Sequence, residues 1–451
     1  MIVRRFSWCL IIVLLAIGKV EAQVSYQFVY AYQSQAGQFH IASIDPSTRQ
    51  VILRTVEVDT IAGLSNAAAH PSTEWLAFLL RSGQSELLEV VNTRTLEVRT
   101  VVVDAYPPEA GDNLTDEPQD FTWSPDGQFI AFNVWNRESG ANDTILYSME
   151  TGTTANLTGN ASGSTQLAWS SDSTRLGVVS VHCAQSCTAA LNIYEISTGR
   201  LMSSFPLTPV VVGAESPTLG GVCQLMWSPD NRYLSFMANC DSSDYGTRKE
   251  IYVLIPETSI IERITNYTVD QDIVAQNGFL FADYQTAWLN ADTLLISAIY
   301  GLVDARRTET SLYVPSTGAT ITVGNVFFQA ISVHAPSHRL AYQPLAVNPE
   351  THLYGSTAAP IVLAPTDGDA VGLLSSAPTR AAVVTNEGCL LDWSPDGSMI
   401  AYSLPSNLNN CESGTASFGI VQIGGEQSID DAVYSLPSDA LFVLPLGWIA
   451  R

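Results

Sequence analysis

The chain is short of positive charge. Its 451 residues hold 20 lysines and arginines against 44 aspartates and glutamates, a formal net charge of −24. Only Lys19 and Lys249 are lysines. Phosphate backbones and anionic lipid are recognised by basic patches, so nucleic acid and membrane surfaces are excluded as natural partners. Long apolar runs are missing too. The one candidate, residues 6–17, stops before Lys19, short of the roughly 20 apolar residues a helical span needs. The signatures of several chemistries are also absent. There is no Gly-x-Ser-x-Gly elbow, no His-Glu-x-x-His, no Cys-x-x-Cys and no Gly-rich phosphate loop, so the sequence offers no serine hydrolase, zinc protease or nucleotide site.

What is present begins with a leader. Arg4 and Arg5 precede the short apolar stretch, and Val20-Glu21-Ala22 supplies a small-residue cleavage site. This is the pattern of a secretory signal peptide, residues 1–22, cut before Gln23. Residues 23–451 are then one extracytoplasmic domain, secreted or in the cell envelope, with no membrane span. Cleavage removes Arg4, Arg5, Lys19 and Glu21, leaving 17 basic and 43 acidic residues, a net −26 with Lys249 as the sole lysine. An apolar content of 46% with 9% aromatics fills a core and excludes disorder.

One phrase recurs along the chain. It is clearest as Trp123-Ser-Pro-Asp-Gly127 followed by Phe129-Ile-Ala-Phe132. It returns at Trp169 with Arg175-Leu-Gly-Val178, at Trp227 with Tyr233-Leu-Ser-Phe236, and at Trp393 with Met399-Ile-Ala-Tyr402. Degenerate copies stand at His70 with Trp75-Leu-Ala-Phe78, at Trp288 with Leu294-Leu-Ile296, and at His334 with Leu340-Ala-Tyr342. Ser-Pro-Asp-Gly is type I turn chemistry: proline presets φ at the second position and glycine suits the fourth. The strand that follows is apolar on both faces, Ile130, Phe132 and Val134 on one and Phe129, Ala131 and Trp135 on the other, as in sheets stacked against sheets. Each copy is followed by a second hairpin, with polar turns such as Glu150-Thr-Gly152, Ser197-Thr-Gly199 and Ser316-Thr-Gly318. Two hairpins per unit give four antiparallel strands, at a blade-sized spacing.

The ends complete the pattern. Residues 28–53 form a unit lacking its first strand and its Trp phrase, and the stretch ending at Trp448 is a first strand with nothing after it. Pairing them closes a ring with no open sheet edge. The expected fold is an all-β propeller of four-stranded antiparallel blades, eight in number, or seven if residues 330–374 form no ordinary blade. The Trp-Ser-Pro-Asp-Gly phrase with its Ile-Ala-Phe strand resembles the WD-like repeat of TolB-type β-propellers, found also in the propellers of prolyl-oligopeptidase-type enzymes. The resemblance covers the propeller alone: neither the TolB N-terminal domain nor a peptidase domain has a counterpart here, and the resemblance implies a fold without fixing a function.

Once Cys9 leaves with the leader, six cysteines remain, an even number that suits an oxidising compartment. Cys223 and Cys389 each precede a phrase tryptophan by four residues, while Cys240 and Cys411 follow the next strand. The register therefore predicts Cys223–Cys240 and Cys389–Cys411, with Cys183–Cys187 bridging a loop between the next two strands. His40, His70, His182, His334, His338 and His352 are scattered. His334 and His338 could share a ligand, but His70 and His334 align with the turn serine and are simpler as turn residues.

Functional groups concentrate in two acidic connections between blades. One carries Glu109, Asp112, Asp116, Glu117 and Asp120, and the other, over residues 266–284, carries Asp270 and Asp272. Their carboxylates could hold Ca²⁺, though a solvated acidic rim explains them as well and no cofactor is expected. The sequence thus points to a monomeric, exported, non-catalytic propeller that binds a protein, peptide or glycan through inter-blade loops. Two alternatives stay open: a carbohydrate-active hydrolase or lyase with carboxylates at the central channel, and a structural envelope component.

Overall fold

In a computed structural model of the chain, the ring predicted from the phrase is present in full. The description covers residues 25–450, apart from 57–62, 102–117, 208–220, 241–248, 266–279, 345–357, 367–381 and shorter breaks of one to four residues. Eight four-stranded antiparallel sheets are the blades. Blade 1 combines Tyr26–Ser34, Phe39–Asp45 and Gln50–Val56 with the last strand, Ala440–Ala450. Blades 2 to 8 follow in chain order over 63–100, 118–156, 163–206, 222–263, 280–324, 328–385 and 389–435. The weak stretch after residue 330 does form a blade, so the count is eight. Among the described residues there is no α-helix, only a 3₁₀ turn at Ala335–Ser337.

The closure is the predicted one. Tyr26–Ser34 pairs antiparallel with Ala440–Ala450, Phe28 lying opposite Trp448. A blade buries both of its faces only against its neighbours, and the hydrophobic core divides accordingly into eight clusters, one at each junction between blades. Blade 3 shows how one strand serves two of them. Ile130, Phe132 and Val134 face blade 2, while Ala131 joins Trp169 and Leu176 of blade 4. A strand buried on both faces needs apolar residues at every position, which is why these segments are nearly unbroken apolar runs.

The turn phrase is a hydrogen-bonded device repeated around one end of the ring. Gly127 N donates to Ser124 O at 2.8 Å, closing the type I turn, and Gly127 stands at φ +71°. Ser124 Oγ donates to Asp126 Oδ1 at 2.6 Å and accepts from Phe129 N at 2.9 Å, fixing the start of the second strand. The same pair recurs as Ser170 with Asp172, Ser228 with Asp230 and Ser394 with Asp396. Burial pushes the carboxyls of Asp172, Asp230 and Asp396 up, but the hydrogen bonds from serine hydroxyls and turn amides outweigh it and hold them below 3.8.

The tryptophan of each phrase is a strut to the blade before it. Trp123, Trp169, Trp227 and Trp393 donate Nε1 to the carbonyls of Ala68, Thr122, Ala168 and Ser332, and Trp288 donates to Ser235 Oγ. Each acceptor belongs to the preceding blade. Trp448 alone among these six donates nothing: its Nε1 is buried without a partner at the closing junction.

Candidate functional site

Antiparallel blades give the ring two unlike faces. The turns joining first to second strands, and third to fourth, all lie on one face. The strand ends from which the connections between blades, and between second and third strands, depart all lie on the other.

At four junctions of the turn face the blades interlock through two alternative arrangements, each tied to one residue choice. Where the preceding turn carries histidine, that ring reaches forward: His70 Nε2 donates to Pro125 O at 3.1 Å, and His334 Nε2 to Pro395 O at 2.9 Å. In those two places the receiving turn has glycine, Gly127 and Gly397, because a Cβ there would run into the imidazole. Where the preceding turn carries serine, the left-handed position holds a side chain that reaches back. Ser173 Oγ accepts from Asp126 N at 3.0 Å, and Asn231 Oδ1 from Ser171 N at 2.7 Å. The histidines are therefore turn residues, as their alignment with serine predicted. His334 accepts from Ser337 Oγ at Nδ1, 2.6 Å away, and so has both nitrogens committed within the turn and its neighbour; a site shared with His338 is not formed.

Burial lowers the imidazole of His70 below its usual 6.5, with hydrogen bonds to the Pro125 and Ser124 backbone and the charge of Asp126 opposing. The unfolded chain then binds more protons than the folded one as pH drops, so this contribution is fully present above pH 6.5 and is lost on acidification. The turn aspartates, held below 3.8, add a further loss in stronger acid. The thermal midpoint should begin to fall as pH drops below 6.5, and His70→Gln, which keeps an Nε2 donor but does not titrate, should flatten that first descent. Identical profiles for the two proteins would show that His70 does not couple to folding.

The opposite face holds the strand ends that flank the long connections, and the cysteines. Cys223–Cys240 and Cys389–Cys411 are bonded as the register predicted, with Cα separations of 6.1 and 5.8 Å. Each ties the start of a blade's first strand to the chain just past its second. Closing loops of this size stabilises by about 3 kcal/mol apiece in the chain-entropy account. Cys183 and Cys187 face one another at the end of the hairpin Arg175–Cys183 and Cys187–Glu195, while their side chains lie outside the described residues. Among the acidic candidates, Glu109, Asp112, Asp116, Glu117, Asp270 and Asp272 also lie outside the described residues. Asp120 belongs to the strand Pro118–Trp123 rather than to the connection before it, and the second connection ends earlier than expected, at the strand Leu280–Asn290. In both places the alternation of small or polar residues with aromatics continues the first strand toward the loop face.

The first strands line the central channel. Between blades 7 and 8, Ser332 Oγ donates to Asp392 Oδ1 at 2.7 Å, and Trp393 N donates to the same oxygen at 2.8 Å. Asp392 is open to solvent although protein surrounds it, and burial raises its carboxyl against those hydrogen bonds and the nearby His334. Between blades 5 and 6, Gln224 bridges to Tyr284 O and Thr286 Oγ1. Among the described residues no three His, Cys, Asp or Glu side chains cluster as a metal site, and no helix is long and apolar enough to cross a membrane.

No family model matches the chain, and no curated protein matches it in sequence. Solved structures match its fold. Dipeptidyl peptidase 4 from Porphyromonas gingivalis superposes with a TM-score of 0.50 at 11% identity, over 89% of this chain and 59% of that one. An oligogalacturonate lyase from Vibrio parahaemolyticus gives 0.47 at 10% identity over 90% and 98%, and TolB from Acinetobacter baumannii 0.35 at 14% over 73% and 74%. The chain spans half the length of a prolyl endopeptidase that it also matches, at 0.49 and 12%. At such identities the likeness is one of fold: this chain is a β-propeller.

Sequence reasoning missed one feature of the turn face, an open cleft of roughly 580 Å³ between blades 2 and 3, bordered by Glu74, Trp75, Asp126, Gln128, Met149 and Glu150. A signal was available in Trp75. It is a tryptophan six residues after the phrase position, where the other clear copies have Phe129, Arg175, Tyr233 and Met399.

Proposed function

We propose that the chain acts outside the cytoplasm as a non-catalytic binding propeller, taking a protein, peptide or glycan on the face of its inter-blade connections. The observation that supports this is the asymmetry of the two faces. One is built of short turns, mutually hydrogen-bonded and tied to fixed residue types. The other is where the long connections join the blades, and it is braced by Cys223–Cys240 and Cys389–Cys411. Loops carried on a fixed scaffold are the usual arrangement for recognition, and the disulfides agree with an oxidising compartment and with the leader at 1–22.

This reading is tested with a variant in which residues 104–117 are replaced by a short Gly-Ser linker, screened beside the parent on arrays of glycans and peptides. The parent should retain a defined subset of ligands and the variant should lose part of it, both with the same thermal midpoint. Identical retention by the two proteins would remove this loop from the reading. The hydrolase or lyase alternative has one observation in its favour, a carboxylate on a channel-lining strand, Asp392, whose carboxyl is raised by burial. Release of new reducing ends from the retained glycans, abolished by Asp392→Asn, would favour it over binding.

A further inference from the structure

The cleft between blades 2 and 3 opens at a junction that departs from the stacking seen at three others, a departure shared with the junction of blades 7 and 8, where the His334 ring lies 6.0 Å from Trp393. The residue six positions after the phrase tryptophan normally stacks on the tryptophan of the next blade. Phe129 lies 6.4 Å from Trp169, Tyr233 lies 5.9 Å from Trp288, and the Arg175 guanidinium lies 4.8 Å above Trp227. In blade 2 that residue is Trp75, and its expected seat against Trp123 is taken by His70, whose ring lies 5.5 Å from the indole. Trp75 is left half-buried at the cleft, with the guanidinium of Arg99 4.4 Å from its ring centroid. Arg99 also donates Nη1 to Met149 O at 3.3 Å; it is not among the described residues that border the cleft, whereas Trp75 is.

The walls have a consistent chemistry. Trp75 and Met149 offer apolar surface, and Glu74, Asp126 and Glu150 offer carboxylates, with no cationic side chain among the described lining residues. Glu74 is already matched by Arg94 at 2.9 Å, and Asp126 is engaged in its own turn. Glu150 is exposed on the rim. We propose that this cleft is a second binding site, distinct from the loop face, for an arginine side chain presented by a peptide or protein partner. The aliphatic stem would lie along Trp75 and Met149 while the planar guanidinium reaches Glu150 and the outer oxygen of Asp126. Such a side chain gains from contact of its stem with the indole and from bidentate pairing of its planar fork, which a lysine ammonium does not match. The volume suits a few residues of peptide, and the net charge of −24 steers cations toward the ring.

The experiment measures binding of a fluorescein-labelled pentapeptide, Gly-Arg-Gly-Arg-Gly, and its lysine counterpart by anisotropy at low ionic strength. It uses the parent protein, Glu150→Arg and Glu257→Arg. Glu257 is an exposed carboxylate on the equivalent turn of blade 5, so the two reversals change total charge equally and neither touches the core. The expected result is preference for the arginine peptide, weakened at least tenfold by Glu150→Arg and less than about twofold by Glu257→Arg, since an isolated surface charge has little effect at a distance. Equal weakening by both reversals would mean that the acidic surface attracts the peptide diffusely and would overturn the site. So would an absence of binding, or displacement of the peptide by a neutral oligosaccharide.

Discussion

Trp448→Ala should destabilise the protein by about 3–5 kcal/mol, the usual range for emptying a buried tryptophan site. The side chain is 3% exposed and belongs to the cluster that joins blades 8 and 1, with its ring 5.5 Å from Phe28 and edge-on to it. Since Trp448 Nε1 makes no hydrogen bond, Trp448→Phe removes volume but no strut and should cost much less than Ala. At Trp227, whose Nε1 donates to Ala168 O at 3.0 Å, Phe substitution also removes that hydrogen bond and should cost about 0.5–1.5 kcal/mol more. Chemical denaturation of the three variants beside the parent checks the order. A larger loss for Trp448→Phe than for Trp227→Phe would contradict the assignment of struts.

Gly397→Ala should cost about 2–5 kcal/mol, from two sources that can be separated. The residue stands at φ +67°, where a Cβ costs about 1–2 kcal/mol. That Cβ would also lie 2.6 Å from His334 Cε1 and 3.1 Å from Cγ, and His334 is buried and hydrogen-bonded across the junction, so it cannot yield without loss; overpacking of this kind costs about 1–3 kcal/mol. In a His334→Ser background, the arrangement of blades 3 and 4, the clash disappears and only the dihedral cost should remain. Additive losses in the double-mutant cycle would show that the histidine and the glycine are not coupled.

That coupling explains why some of this protein was legible in its sequence and some was not. The phrase Trp-Ser-Pro-Asp-Gly could be decoded because each of its residues acts at its own position, setting a turn dihedral, capturing an amide or bracing the blade before. The strand periodicity and the matching half-units at the two ends then gave the ring, and the register of the tryptophans gave Cys223–Cys240 and Cys389–Cys411. The degenerate copies were harder. His70 and His334 looked like decayed serines, yet each is half of a lock whose other half, Gly127 or Gly397, lies more than fifty residues away. A pattern confined to one repeat cannot show a partnership between two. The cleft was hidden for the same reason, since Trp75 is displaced by a histidine packed against another blade's tryptophan. The acidic connections follow no repeat at all, so the sequence yields their charge without an arrangement.

Binding at either face presupposes a rigid scaffold, and that depends on a chain whose tail completes the blade its head begins. Peptide-resolved hydrogen exchange on the intact protein tests this most directly. Residues 26–34 and 440–450 should exchange slowly and together, and removing residues 437–451 should release protection in 26–34 and expose the apolar edge that carries Phe28, Tyr30 and Tyr32. Fast exchange across 440–450 in the intact chain, or undiminished protection of 26–34 after the truncation, would contradict a ring closed in this way.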